Sequence, residues 1–157
     1  MPETIKNATN LSAFKKEYKN HTNIGIDESK KNNPLIHSYE GFFGKILTQI
    51  KLKLSPLRSQ LFNYNLTENP FCPSCNDSIE TPLHFFLDCN THHAHRQIML
   101  ANLLKLNPKL SSATEYLQFI VKGSLVGSRE QQMKINKAIF RHVTIFMFKT
   151  QRFISKF

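Results

Sequence analysis

The sequence of 157 residues lacks any long apolar run and contains only three cysteines. No stretch approaches the roughly 18 to 20 consecutive apolar residues that a membrane span needs, and the N-terminus has no apolar core of a secretory signal. We therefore expect an intracellular protein, nuclear or cytoplasmic, that has no membrane contact. An odd number of cysteines in such a chain argues against a disulfide-bonded scaffold.

Acidic residues are also scarce. The chain has 11 Asp and Glu against 21 Lys and Arg, so its formal net charge is +10. Such a balance favours a polyanionic partner such as nucleic acid, although lysines can equally form solvated faces that bind nothing. The hydrophobic content of 40% is ordinary for a globular domain that has a core of its own.

All three cysteines lie close together in the middle of the chain, in the pattern C-x2-C-x8-H-x4-C. Cys72 and Cys75 are spaced so that two thiolates can bind one ion from a tight turn, while His84 and Cys89 approach it from the other side. This donor set predicts a structural Zn²⁺ site with four protein ligands. We refer to residues 71–90 as the knuckle.

Two alternatives to this site involve the same residues. The cysteines could be reduced core residues, or two could form a disulfide and leave one over, but neither explains why all three lie beside a histidine at ligand spacing. Three further histidines are possible substitute ligands: His92, His93 and His95. A polar run that opens the next helix is the simpler interpretation of these three.

The knuckle also contains a predicted helix start. Thr81 is a good N-cap residue, and Pro82 suits the first helical position. Five residues of α-helix turn through about 500°, which would leave Cys89 roughly 140° away from His84. The helix must therefore end or unwind before Cys89 if both residues bind one ion.

Hydrophobic periodicity predicts helices on both sides of the knuckle and no convincing strand. The predicted helices span residues 39–54, 57–64, 91–106, 113–121 and 129–153. Glu115 lies at capping-box distance from Ser112, which supports the start of the fourth. The fold class is therefore mostly α: a small helical domain, residues 37–157, organised around a Cys3His zinc knuckle. Residues 1–36 are polar and basic and predict a flexible arm.

The last predicted helix has two different faces. One face is apolar and comprises Ile135, Ile139, Val143, Phe146, Met147 and Phe153. The opposite side carries a basic stripe of Lys134, Lys137, Arg141, Lys149 and Arg152. This spacing allows one side of a helix to follow a phosphate backbone, and a solvated face is the alternative. Ile145 and Phe148 interrupt the stripe, which indicates either a second buried contact or a base-stacking surface.

These motifs resemble the zinc-binding segment at the C-terminal end of reverse transcriptases from non-LTR (LINE-type, jockey-like) retrotransposons. The resemblance covers roughly residues 40–153. It is carried by Glu80-Thr81, by His84-Phe85-Phe86-Leu87-x-Cys89 and Arg96, by Ile46 to Leu52 with Ser55-x-Leu57-Arg58, and by Asn136-x-x-Ile139 with Thr150-Gln151-Arg152-Phe153. Gln49 and Lys53 depart from it, since the family more often has arginine and glycine there.

The resemblance implies that Cys72, Cys75, His84 and Cys89 bind zinc and that the segment grips element RNA or target DNA. Together with the charge pattern, it makes the following residues candidates for binding RNA or DNA through phosphates: Lys51, Lys53, Arg58, Arg96, Lys134, Lys137, Arg141, Lys149 and Arg152. The same family would supply a polymerase in the parent protein.

Catalysis is not expected of this chain. Metal-dependent nucleotidyl transfer needs carboxylates that hold two magnesium ions, whereas Asp27, Asp77 and Asp88 are the only aspartates and no two are adjacent. Four protein ligands would also leave zinc no open position for water. We expect a non-catalytic nucleic-acid-binding module. The alternatives are a structural or protein-interaction module, which would pack on a polymerase fragment or a second copy of itself, and an inactive remnant of a retrotransposon polyprotein.

Overall fold

A computed structural model of the protein describes residues 34–154, with side chains from residue 41 onward. Most of the predicted arm, residues 1–36, lies outside the described residues. The helices are α1 (Pro34–Lys51), α2 (Arg58–Asn63), α3 (His93–Leu106), α4 (Ala113–Lys122) and α5 (Arg129–Thr150). Within residues 34–154, the only pairing of extended segments is a single bridge between Phe71 and Ile79. The mostly α fold class, with a long C-terminal helix, is confirmed.

The first helix begins and ends earlier than periodicity suggests. It starts at Pro34, five residues before the predicted start, and proline suits a first helical position. It ends at Lys51 because Lys53 adopts a left-handed conformation, with φ of 60°. The Lys53 N–H donates to the Ile50 carbonyl at 3.1 Å and the Leu54 N–H to the Gln49 carbonyl at 2.8 Å, which is the Schellman pattern.

Capping boxes start the last two helices. The Ser112 hydroxyl accepts from the Glu115 N–H and the Glu115 carboxylate accepts from the Ser112 N–H, as predicted for α4. Ser128 and Gln131 form an equivalent box at α5 that the sequence analysis did not identify. The end of α5 comes three residues before the predicted Phe153, because Gln151 takes a left-handed conformation.

The core forms where α1, α3 and α4 pack against α5. Ile139, Val143, Phe146 and Met147 of α5 are buried as predicted, while Ile135 and Phe153 are half-buried at its edge. Gly44 lies against the Phe140 ring, and the Pro56 carbonyl lies 3.3 Å from Arg152 Nη2.

Phenylalanine rings attach the knuckle to this core. Phe85 and Phe86 are completely buried, and their ring centroids lie 5.5 and 5.9 Å from that of Phe146 on α5. Phe85 also makes an edge-on contact with Phe153 at 5.0 Å. Such ring pairs add to the burial of apolar surface. The two residues that follow His84 thus hold the knuckle in place.

Candidate metal centre and basic surface

The four predicted ligands converge. One donor atom from each of Cys72, Cys75, His84 and Cys89 lies within 4.8 Å of all the others, so together they could hold a metal ion. Cys72, Cys89 and His84 are buried, and Cys75 is half-buried at the outer side. The Sγ atoms of Cys72 and Cys89 are 3.9 Å apart, far beyond the roughly 2.05 Å of a disulfide. All three cysteines are free thiols.

A tight turn positions the first two cysteines. The Cys72 N–H donates to the Ser78 carbonyl and the Asn76 N–H donates to the Cys72 carbonyl, both at 2.8 Å. Asn76 takes a left-handed conformation with φ of 56°, which asparagine tolerates better than most residues. The chain therefore folds back within a few residues, and both sulfurs point to the same side.

The surroundings of the two thiols in this turn shift their pKa values in opposite directions. Burial raises the pKa of Cys72 to about 11, against the opposing effect of the Cys75 and Ser74 N–H groups. Burial acts in the same direction on Cys75, but hydrogen bonds from the Asp77 and Ser78 N–H groups outweigh it and lower its pKa to about 7. Backbone N–H groups aimed at a sulfur favour the thiolate, which is the form that binds metals.

A π turn brings the second pair of ligands together. Thr81 caps the helix start as predicted, since its hydroxyl accepts from the His84 N–H at 3.1 Å. The backbone then widens over His84–Asp88, and the Cys89 N–H donates to the His84 carbonyl at 2.8 Å, five residues back. A wider turn rotates Cys89 less far from His84 than an α-helix would. The helix was expected to end or unwind before Cys89, and it unwinds as a π turn.

The His84 ring presents Nε2 to the cluster, 3.4 Å from Cys75 Sγ. Its other nitrogen, Nδ1, is buried and lies 3.4 Å from an Asp88 carboxylate oxygen, in range for an ion pair but outside hydrogen-bond geometry. Asp88 itself is exposed. A carboxylate behind a ligating histidine fixes the tautomer that leaves Nε2 free to bind the metal.

The neighbouring histidines do not join the cluster. His92 is buried, with its ring 5.8 Å from Phe85 and 6.3 Å from Phe146, and burial lowers its pKa. His93 is exposed and His95 is half-buried on α3. The interpretation of this run as the opening of the next helix matches the structure, since α3 begins at His93.

Arg96 and Arg152, two of the predicted nucleic-acid-binding residues, face inward instead. Arg96 is 4% exposed and its Nη1 donates to the Cys89 carbonyl at 2.7 Å. Arg152 forms a two-pronged ion pair with the buried Glu80 carboxylate, through Nε to Oε1 and Nη2 to Oε2. Both guanidinium groups already have structural partners, so we remove these two residues from the set available to a phosphate backbone.

The remaining candidates lie at the surface. Arg58 is half-buried, and its Nη1 donates to the Thr67 hydroxyl at 3.2 Å. The exposed members are Lys51, Lys53, Lys134, Lys137, Arg141 and Lys149. Four of these six are on α5, so the exposed positive charge of the predicted set is concentrated on that helix.

Sequence analysis missed Glu80 as a structural residue. It is completely buried, and besides Arg152 its carboxylate accepts the Arg58 N–H at 2.7 Å, at the start of α2. Its backbone carbonyl accepts the Ser59 hydroxyl at 2.7 Å. A lone glutamate beside an N-cap threonine gives no sign that a residue far along the chain will neutralise it.

No helix within residues 34–154 is long and apolar enough to cross a membrane. Comparisons of the chain with protein-family models, with curated proteins and with solved structures found no match. The residues and their geometry are therefore the basis for assigning a function.

Proposed function

We propose that this protein is a non-catalytic, zinc-stabilised module that binds nucleic acid through the exposed basic side of α5. The convergence of three thiols and one imidazole on a single point carries the proposal. The resemblance to the C-terminal zinc segment of non-LTR retrotransposon reverse transcriptases remains a prediction that fits this arrangement.

Zinc suits the observed spacing. Zinc bonds of about 2.3 Å to sulfur and 2.0–2.1 Å to nitrogen give tetrahedral edges of about 3.8 Å between two sulfurs and about 3.6 Å between sulfur and nitrogen. The distances are 3.9 Å between Cys72 and Cys89 Sγ and 3.4 Å between Cys75 Sγ and His84 Nε2. A bound zinc would offset two of the three thiolate charges and hold the two halves of the knuckle together; four protein ligands would leave it structural.

The glycine that the family more often has at position 53 fits the backbone conformation of the chain there. Lys53 stands where the family more often has glycine, and this residue has a φ of 60° at the end of α1. Glycine adopts that conformation without strain. The helix end required here is thus the kind that a glycine would favour, which supports a shared local structure.

Metal analysis of the purified full-length chain tests the zinc site. We expect about one zinc per chain and loss of the helical circular dichroism signal on strong chelation, because structural zinc is coupled to folding. Cys75→Ser should lower the zinc content, while Ser74→Ala, which replaces an adjacent side chain that is not a ligand, should not. A metal-free chain that keeps its full helical signal would refute the structural zinc.

Fluorescence anisotropy with labelled RNA and DNA at increasing salt tests nucleic-acid binding. The triple variant Lys134→Gln, Lys137→Gln, Arg141→Gln should bind more weakly and flatten the plot of log K against log salt by about 2, as expected for three lost contacts to a single strand. Lys45→Gln, Lys109→Gln, Lys122→Gln removes the same charge from exposed sites outside α5 and serves as the matched control. Equal effects of both triples would show only a general charge attraction.

A protein-interaction role is the second candidate, and one loop favours it. Leu125 and Val126 are 78% and 81% exposed between α4 and α5. Gln132 Nε2 donates to the carbonyls of Leu125 and Gly127, so the loop is held in place while it presents two apolar side chains. Light scattering tests for self-association: a dimer that Leu125→Ser, Val126→Ser converts to a monomer would favour this candidate.

A further inference from the structure

The loop between α4 and α5, residues 123–127, presents two apolar side chains on an anchored backbone. Leu125 and Val126 are the most exposed large apolar side chains that the structure describes. The carbonyls of Leu125 and Gly127 both accept from Nε2 of Gln132, at 3.1 and 2.9 Å. A surface whose backbone is already ordered loses little conformational entropy when a partner binds. The α4–α5 loop is therefore prepared for a contact with another molecule.

Positive charge surrounds this loop. Lys122 ends α4 just before it and Arg129 begins α5 just after it, and both are exposed. Glu130 is the single acidic residue from position 116 to position 154, against seven Lys and Arg residues in the same range. A partner that matches this surface needs apolar side chains within a negatively charged rim.

The knuckle carries an apolar pair on its outer face. Phe71 and Ile79 lie opposite each other in the single bridge, and the backbone hydrogen bonds fall on either side of them. In such a non-hydrogen-bonded pair the two side chains lie close together on one face. They are 45% and 49% exposed, whereas Cys72 and Glu80, which follow them in the chain, are buried. The knuckle thus turns its metal cluster inward and this apolar pair outward.

Negative charge surrounds the apolar pair. Residues 59–95 contain no Lys or Arg, although the chain has 21 of them. Three acidic residues in this segment are exposed: Glu68, Asp77 and Asp88. A phosphate backbone would be repelled here, whereas a positively charged protein surface would be attracted. The outer face of the knuckle is therefore complementary to the α4–α5 loop in charge, and both present apolar side chains.

The two surfaces lie toward opposite ends of α5. Gln132, which anchors the loop, is near the start of the helix. Phe146, whose ring centroid lies 5.5 Å from that of Phe85 in the knuckle, is near its end. At 1.5 Å per residue, about 21 Å of helix separates these two positions. The loop of one molecule therefore cannot cover its own knuckle, but it can reach the knuckle of another.

We propose that the α4–α5 loop of one molecule docks on the outer face of the knuckle of a second copy, head to tail. Leu125 and Val126 contact Phe71 and Ile79, while the cations beside the loop meet the acidic rim. Because two different surfaces meet, the contact repeats and builds a ring or an open chain of copies. This inference rests on the interaction role proposed for the loop and names its partner; nucleic-acid binding does not enter it.

Sedimentation velocity of the full-length, zinc-loaded protein tests the contact. Concentrations of about 10 μM to 1 mM cover weak association, and an ionic strength of about 0.15 M screens the repulsion between molecules of like net charge. The average mass should rise beyond that of a dimer. The loop variant Leu125→Ser, Val126→Ser and the knuckle variant Phe71→Ser, Ile79→Ser should each weaken association at least about 10-fold. Ile98→Ser, at a side chain 63% exposed on α3, is the control and should leave association unchanged.

A mixture of the loop variant and the knuckle variant provides the decisive measurement. Each keeps one of the two surfaces, so one intact loop can meet one intact knuckle. The mixture should form a complex of two molecules and nothing larger. Circular dichroism and zinc content show whether each variant is folded, and Asp77→Lys, which keeps the apolar pair but reverses a charge beside it, replaces the knuckle variant if that variant unfolds.

The outcomes separate this inference from the wider interaction role. Association that the loop variant abolishes and the knuckle variant leaves intact shows a symmetric contact between two loops; it keeps the interaction role and overturns the inference. Two folded variants that form no complex in the mixture also overturn it. A protein that stays monomeric throughout refutes both the inference and self-association through the loop.

Discussion

Asp88 lies outside the Cys3His cluster but next to one of its members, His84. Its carboxylate lies 3.4 Å from Nδ1 of His84, behind the ring that turns Nε2 toward the cysteines. Ligand orientation by such a partner is a common property of metal sites. At this scale the sequence predicted the four side chains that converge, because thiols and imidazole have few other reasons to cluster at that spacing, but it gave no reason to select Asp88.

If zinc binds as proposed, Asp88→Ala should weaken its binding about 10- to 100-fold, because the His84 ring loses the carboxylate that faces its Nδ1. The measurement is a competition titration against a coloured zinc chelator at neutral pH. Asp77→Ala is the control, since Asp77 contributes its backbone N–H and not its side chain to the turn. Identical affinities for the two variants would contradict a role for the Asp88 carboxylate.

His142 predicts a pH dependence of stability. Burial, followed by the charges of Arg141 and Lys105, lowers its pKa. The unfolded chain therefore binds the proton more tightly, so the free energy of unfolding falls as pH decreases through the ordinary histidine pKa of about 6.5 and levels off below the folded value. His142→Gln should make this decrease shallower.

Urea denaturation in excess zinc at pH values of about 7.5 and 5.5 measures the effect, on either side of the histidine pKa. His93→Gln, which replaces an exposed histidine on the neighbouring helix, is the matched control. Zinc loss at low pH affects both variants alike, so the difference between them isolates His142. If His142→Gln retains the full pH dependence, the lowered pKa is not coupled to folding.

At the scale of elements, the starts of α4 and α5 were predicted at the observed residues, whereas the ends of α1 and α5 were not. Ser112 and Glu115 form a capping box that a four-residue pattern specifies, and the structure confirms it. The end of α1 at Lys51 depends on the conformation of Lys53, a residue type that rarely takes φ above zero. Local sequence gives no signal for such a turn, because lysine is not a residue that favours it.

The connection between α4 and α5 depends on Gly123, which has φ of 77° and ψ of −168°. A Cβ atom there would lie 2.5 Å from Oδ1 of Asn136, the atom that accepts the Ser124 N–H. Gly123→Ala should therefore destabilise the protein by about 1–3 kcal/mol. Chemical denaturation measures the change.

Gly41→Ala provides the opposite case in the same protein. Among the residues that the structure describes, no atom lies within 4 Å of a Cβ atom at this helical glycine, so alanine should stabilise α1 by about 0.5–1 kcal/mol through its higher helix propensity. If both alanine variants change stability in the same direction, the positive φ of Gly123 and its close approach to Asn136 do not determine the effect of the substitution.

At the scale of the whole molecule, a buried ion pair joins the knuckle to the far end of α5. Glu80 and Arg152 are 72 residues apart in sequence, and Arg152 also donates to the Pro56 carbonyl. Periodicity placed Arg152 in the basic stripe of α5, because an ideal helix would continue to that residue. The helix instead ends at Thr150, and the changed chain direction lets the guanidinium reach Glu80.

Arg152→Ala should destabilise the protein by about 3–5 kcal/mol, because it leaves the Glu80 carboxylate buried without a counter-charge. Arg152→Lys should retain only part of the stability that Arg152→Ala loses, since an ammonium cannot reproduce the two-pronged ion pair. The double variant Glu80→Leu, Arg152→Leu should be more stable than Arg152→Ala. Arg129→Ala, at an exposed position, should stay within about 0.5 kcal/mol of the unchanged protein.

Denaturant unfolding of these four variants provides the measurement. A loss under Arg152→Ala no larger than that under Arg129→Ala would show that water reaches the Glu80 carboxylate and solvates it. In that case the ion pair would not connect the knuckle energetically to α5.

The π turn at His84–Asp88 has a consequence for how such motifs diverge between sequences. An ordinary α turn brings residues four apart onto one side of a helix, and the π turn does the same for residues five apart. An H-x3-C spacing in an α turn and an H-x4-C spacing in a π turn therefore both place the histidine and the cysteine on one side of the helix. Gain or loss of a single codon between histidine and cysteine could be absorbed by a change of helical type, and a search that demands one fixed spacing would overlook chains that have the other.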